Sequence, residues 1–209
     1  MMDTTNFSLF LAASWALIIA PGPDMLYVIT RGISQGRKAG LLSALGVTLG
    51  ILVHTIFAAF GLAVILQTSA VAFLIVKYVG AVYLIYLGLK TLKDKSGITL
   101  LKRQSPMDFR SIFWQGVLSN VLNPKIALFF LAFLPQFVNH SNGNTILQMF
   151  FLGITFAFFG VIFLCGVGYF AGSLGSWLTQ RCRFTETIHW LTGLIFIGLG
   201  LRLAFVQRR

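Results

Sequence analysis

Residues 126–180 contain no Asp, Glu, Lys or Arg, and two further charge-free stretches cover 4–23 and 39–76. About 20 apolar residues carry one helix across a bilayer core, so each of the two longer stretches can cross more than once. Only 10% of the chain is charged and mean hydropathy is +0.86, against about 25% charged residues in soluble domains. Lipid offers no partner to backbone N–H and C=O groups, so spans of this length must be helices. No segment alternates polar and apolar residues in the manner of a membrane barrel. The class is therefore an all-α polytopic membrane protein forming one transmembrane domain over 1–209, with the bilayer as its surroundings.

Polar clusters divide the chain into six spans, near 7–30, 40–66, 70–90, 112–134, 146–172 and 188–206. The first is read as retained rather than as a cleaved signal, because Asp3 and no basic residue precedes it and Pro21 follows the small residue Ala20. The net charge of +11 is not a nucleic-acid signal here, because the basic residues gather in particular connections. Arg31, Arg37 and Lys38 follow span one; Lys90, Lys93, Lys95, Lys102, Arg103 and Arg110 flank the connection after span three; Arg181 and Arg183 follow span five. By the positive-inside rule these connections face the cytoplasm and the N-terminus faces out. Six spans then place the C-terminus outside as well, with Arg202, Arg208 and Arg209 against the rule, so five spans plus a re-entrant segment is the competing topology. Tyr78, Trp114, Trp177 and Trp190 fall near span ends as interface anchors, and Lys77 is expected to snorkel to the outer surface.

Two of the spans are interrupted. In "IIAPGPDMLYV" (18–28) Pro21, Gly22, Pro23 and Asp24 break the first, and in "LSNVLNPKIALFFLAF" (118–133) Asn123, Pro124 and Lys125 break the fourth. Proline lacks an N–H and clashes with the preceding turn, so each motif ends one half-helix and starts another. Pro23 and Pro124 suit the first position of the second half-helix, with Gly22 and Asn123 as N-caps. Each new N-terminus presents free N–H groups and partial positive charge, a site for an anion such as a carboxylate. Superposing Pro21 on Pro124 also brings Gly40 onto Gly143 and Gly50 onto Gly153, and "GLK" at 88–90 matches "GLR" at 200–202. Two three-helix repeats follow, approximately 1–92 and 112–209, joined by the basic loop 93–111. With three crossings each they are inverted relative to one another, an arrangement typical of transporters.

Asp24 is the sole acidic residue within any predicted span. A carboxylate at the helix centre costs about 2.5–3.5 kcal/mol on insertion scales, so such groups usually serve function. It either binds substrate and protons or only caps the restarted helix. Lys125 either binds a substrate carboxylate or pairs with Asp24 across the repeat interface. Asn120 and Asn123, three apart, line the same site or hold helices together. His54 is a candidate proton relay, with an interhelical hydrogen bond as the plainer reading. The two cysteines, Cys165 in a span and Cys182 in a loop, suggest no disulfide framework. No zinc spacing, phosphate-binding loop or nucleophile motif is present, so no cofactor, metal site or catalytic residue is expected.

"APGPD", "GISQGRKAGLLSALGVTLG", "VGAVYLIYLGLK" and "SNVLNPKIALFF" together resemble the LysE/RhtB-type amino-acid exporters, over essentially the whole chain. The resemblance implies a multi-pass protein of the bacterial cytoplasmic membrane that exports amino acids or their derivatives by proton antiport. The Asp of "PGPD" is similar to the homoserine, homoserine lactone and threonine subset. Its partners would be an amino acid, protons and lipid, with homo-oligomerisation left open. A small-solute channel would need rings of pore-lining polar groups, and an intramembrane enzyme would need a nucleophile with its base or a metal cluster; both rank below the exporter.

The orientation is open to a labelling test. With single cysteines at Ser96 and Asn142 in a cysteine-free background, an impermeant thiol reagent on intact cells should label Asn142 and leave Ser96 unreacted. Equal labelling would refute the assigned sidedness.

Overall fold

A computed structural model describes residues 4–62, 70–93, 106–139, 144–178 and 182–205, which are helical apart from short connections and contain no strand. The first interruption lies between α1 (Thr4–Ile19) and α2 (Pro23–Gln35), whose axes bend by 48°. Gly36, at φ 85°, turns the chain within one residue into α3 (Arg37–Phe57), a left-handed conformation that glycine adopts without penalty. A π-helical turn, Ala58–Leu62, follows. Next come α4 (Ala70–Lys93) and α5 (Phe109–Val121), the latter capped by Asp108, whose Oδ1 accepts from the Ser111 N–H at 2.7 Å. The second interruption leads to α6 (Pro124–Leu128), which widens into a π-helical turn (Phe129–Phe133) and closes with a 3₁₀ turn (Leu134–Phe137). This second pair bends by 46°. The chain ends in α7 (Thr145–Leu178) and α8 (Cys182–Phe205).

Among the described residues, three helices are long and apolar enough to cross a membrane unbroken, and counting each bent pair as one span raises the number to five. Within α8 the apolar part covers Gly193–Phe205. The 34 residues of α7 rise roughly 50 Å, well beyond a hydrocarbon core of about 30 Å, so this helix must tilt or project. The expected end of span two at 66, Gly143, Ser96, Asn142, Arg181, Arg208, Arg209 and most of the basic connection lie outside the described residues.

Glycine sets the helix spacing, as is common where lipid removes the hydrophobic drive for association. Antiparallel α3 and α7 meet at Gly40 against Gly168 and at Thr55 against Gly153. Parallel α3 and α5 meet at Gly46 against Phe113 and Gly116, so closely that a Cβ on Gly46 would lie 2.2 Å from the Phe113 carbonyl oxygen. Antiparallel α4 and α8 pack through Gly88, Gly193 and Gly200, while Gly80 of α4 faces Ala132 in the π-helical turn after α6. The interior beside the second break is aromatic: Phe129 stacks near Phe133 and Phe156 with centroids 5.3 and 5.1 Å apart, and Phe137 lies 5.5 Å from Phe10.

Several sequence expectations change here. Arg31, read as a residue of the first basic connection, lies inside α2 with 4% of its surface exposed. Its guanidinium donates to Gln35 Oε1 at 3.2 Å and Gln115 Oε1 at 3.0 Å, tying α2 to α5, because a buried charge needs hydrogen-bonded partners. Lys77, expected to snorkel outward, is 7% exposed and lies 5.3 Å from the Tyr78 ring. Arg202 lies within α8, as the predicted span 188–206 has it, and sits over the rings of Phe133 and Phe137 at 5.9 and 5.4 Å. Tyr78, Trp114 and Trp190 are exposed, as interface anchors should be, while the side chain of Trp177 lies outside those described.

Candidate functional site

Both breaks form where proline dictates, and their restarts differ in one respect. Pro23 and Pro124 each occupy the first turn of the restarted helix. Pro23, rather than Pro21, is therefore the local counterpart of Pro124, which makes Asp24 the counterpart of Lys125. Asn123 caps α6, its Oδ1 accepting from the Lys125 N–H at 3.0 Å. Gly22 stands at the same place before α2 and offers no side-chain cap. The uncapped, electropositive N-terminus belongs to α2 alone of the two restarts.

The two charged residues then cross over. Lys125 reaches back from the second break to the end of α1, donating from Nζ to the carbonyls of Leu17 at 3.0 Å and Ala20 at 2.8 Å. These belong to a helix end whose last carbonyls have no intrahelical donors, and a cation there also suits the helix dipole. Asp24 reaches the opposite way, to the end of α5. Its Oδ2 accepts from Asn120 Nδ2 at 2.7 Å and Asn123 Nδ2 at 2.8 Å, and its Oδ1 accepts from Ser119 Oγ at 3.2 Å. Asp24 is 7% and Lys125 9% exposed. The expected alternative, an ion pair between them, is not formed: each is held by neutral donors or acceptors of the other break. Lys125 keeps a third N–H beyond the two carbonyls, and the longer contact leaves Asp24 Oδ1 with lone-pair capacity.

Asn120 joins three parts of the site. Besides holding Asp24, its backbone carbonyl lies 3.0 Å from His54 Nε2. A carbonyl only accepts, so that nitrogen carries the proton. His54 therefore touches the carboxylate's support rather than the carboxylate, in the interhelical hydrogen bond that was its plainer reading. Asn120 Oδ1 is buried with no hydrogen-bond donor, close against Gly50, where a Cβ would lie 2.8 Å away.

These groups border a cavity of about 30 Å³, room for one or two water molecules. Asp24, Asn120 and Lys125 supply its polar lining, and Leu17, Val47, Ile51, Ile126, Phe156 and Leu164 contribute apolar wall. The arrangement offers a negative group, a positive group beside an open helix N-terminus, and an aliphatic wall between them. Gly22 sits within this geometry: a Cβ there would lie 3.1 Å from Lys125 Nζ. Among the described residues no three His, Cys, Asp or Glu side chains gather as metal ligands. Sequence reasoning placed Asp24, Lys125, Asn120 and Asn123 together and missed Ser119, which stands beside Asn120 in the fourth-span motif and was readable only as a small polar residue.

The pattern described as the LysE type translocator matches residues 15–207. The chain belongs to the LysE-type translocator family. Members of this family are translocators, in keeping with the several long apolar helices. The chain is 33% identical over 195 residues to the uncharacterized membrane protein YrhP of Bacillus subtilis (strain 168), covering 89% of this chain and 92% of that one. It is 29% identical over 206 residues to the leucine efflux protein of Salmonella choleraesuis (strain SC-B67), covering 97% and 96%. An uncharacterized membrane protein of Vibrio cholerae serotype O1 is 28% identical over 203 residues. No solved structure matches the chain.

Lys125→Met tests the crossed contacts directly. Two buried carbonyls lose their donor, at about 1–3 kcal/mol for each unsatisfied group, so the purified variant should melt several degrees below wild type. Lys125→Arg should restore only part of the loss, because a planar fork does not replace a compact ammonium. A Met variant with wild-type melting would show that the ammonium does not hold the end of α1.

Proposed function

We propose that the protein exports amino acids across the bacterial cytoplasmic membrane in exchange for protons, by alternating access about the Asp24–Lys125 cavity. The observation that carries this reading is the pair of opposite, buried and mutually unpaired charges bordering one otherwise apolar cavity. A zwitterion fits it: the substrate ammonium against Asp24 Oδ1, the carboxylate at Lys125 Nζ and the open N-terminus of α2, the side chain on the aliphatic wall. Leucine efflux proteins among the relatives favour the amino-acid class, and the wall favours an aliphatic side chain. Homoserine and threonine, the substrates suggested by the "PGPD" resemblance, would need a partner for their hydroxyl, and Ser119, Asn120 and Asn123 are the polar groups hydrogen-bonded to Asp24.

The proposed architecture is six spans in two inverted repeats, approximately 1–92 and 112–209, with N-terminus outside. Its support is that α3 packs antiparallel on α7 and α4 on α8, the relation a two-fold axis in the membrane plane imposes on corresponding helices. The cavity is too small for leucine, so loading requires α2 and α5 to separate. On the proposed cytoplasmic side that motion breaks the Arg31–Gln115 bond and the Tyr27 OH contact to the Ile112 carbonyl. Protonation of Asp24 from outside removes the charge that holds the substrate ammonium, and release follows. His54, one residue removed, is the second candidate for the proton path.

Asp24→Asn separates the coupling role from the structural one. Asparagine can keep one oxygen as acceptor to Asn120 and Asn123 and turn its amide N–H toward Ser119 Oγ, which can accept, but it cannot change charge. The variant should insert normally and lose efflux driven by an imposed pH gradient in proteoliposomes, while Asp24→Glu keeps part of it. Wild-type gradient-driven rates in Asp24→Asn, at matched protein level, would remove Asp24 from the coupling mechanism.

A further inference from the structure

Glycines along α7 fall into distinct groups. Gly153, Gly168 and Gly172 are required by packing, since a Cβ at these positions would lie 2.3 Å from Thr55 Cγ2, 2.7 Å from the Gly40 backbone and 2.4 Å from the Arg37 nitrogen. At Gly166 a Cβ would meet nothing within 4 Å. Gly160 fits neither group. It is buried, yet a Cβ built there would touch only Ile51 Cδ1, at 3.4 Å, which is ordinary van der Waals contact. No helix approach requires glycine at 160, and no lipid-facing surface explains it. What Gly160 borders is the cavity itself, opposite Ile51 and beside Phe156 and Leu164 on the apolar wall.

We infer that Gly160 is a specificity-determining residue: its missing side chain sets how large an aliphatic side chain the cavity accepts. This rests on the exporter reading above. The cavity in its contracted form has room for only one or two waters, and a methyl group is of similar size, so alanine at 160 removes a large part of the space into which a substrate side chain extends. The charged groups are untouched. Asp24 and Lys125 bind their partners on α1, α5 and the second break, and none of these bonds involves α7. Recognition of the ammonium and carboxylate is thereby separated from recognition of the side chain.

The test compares wild type, Gly160→Ala and Gly160→Val in proteoliposomes, using efflux of radiolabelled alanine, valine and leucine. Melting of each purified variant is measured in parallel, with Gly46→Ala as a control whose Cβ would strike the Phe113 carbonyl. One methylene in an apolar pocket is worth about 10–200-fold in discrimination. Gly160→Ala should melt as wild type, keep alanine efflux and lower the leucine-to-alanine ratio at least ~10-fold. Gly160→Val should extend the loss to valine. Gly46→Ala should melt lower and reduce all three rates together. Unchanged ratios in both Gly160 variants, or a uniform fall matching the Gly46→Ala control, would overturn the inference while leaving the exporter reading in place. Wild-type protein that moves none of the three amino acids, at any imposed gradient, would instead overturn the exporter reading and this inference with it.

Discussion

Everything distinctive in this structure depends on the exchange of side chains between two broken helices. A helix that stops inside a membrane leaves carbonyls with no water to bond, and each such group costs several kcal/mol in hydrocarbon. The first break is tolerated because Lys125, from the second, donates to Leu17 and Ala20. The second is tolerated because its asparagines and Ser119 find a common acceptor in Asp24, from the first. Each break satisfies the other. The exchange also holds a carboxyl and an amino group in the interior without pairing them with each other, so that both retain bonding capacity toward a ligand.

Rigidity and adaptability are distributed accordingly. Glycine contacts bring α3 against α5 and α7, and α4 against α8, at distances that admit no methyl group. These pairs are suited to move as units. Between them lie segments of looser hydrogen bonding: the two breaks, and the π-helical turns Ala58–Leu62 and Phe129–Phe133. Wide turns of this kind commonly occur at functional positions in helices. Alternating access needs such a division, since packed helix pairs are displaced whole and hinges absorb the change.

Much of this could be read from the sequence, for identifiable reasons. Uncharged length gave the helical class, and proline chemistry gave both breaks, the N-cap at Asn123 and the exposed N-terminus after Gly22. Asn120, Asn123 and Asp24 could be grouped because two lie on one helix face next to a break and the third is a buried acid needing donors. The partner of Lys125 was not readable, because spacing along a helix does not say which helix end will face it. Opposite charge suggested Asp24, and the structure gave it carbonyls. Arg31 was misassigned because positive-inside reasoning counts charges by position in the chain, whereas burial depends on the Gln35 and Gln115 side chains that meet it in space. Nothing in the sequence separates Gly160 from Gly153, Gly168 or Gly172, because only the atoms around each show which of them packing requires.

The central claim is that the site recognises both charges of a zwitterion at once. Binding to purified protein of leucine, leucinamide and 4-methylpentanoate, which share one aliphatic side chain, tests it most directly. Leucinamide lacks the carboxylate that Lys125 and α2 would hold, and 4-methylpentanoate lacks the ammonium that Asp24 would hold. Leucine should raise the melting temperature and both analogues should fail to do so at the same concentration, with the response to leucine lost in Lys125→Met and in Asp24→Asn. Equal stabilisation by leucine and either analogue would contradict a site built from these two charges.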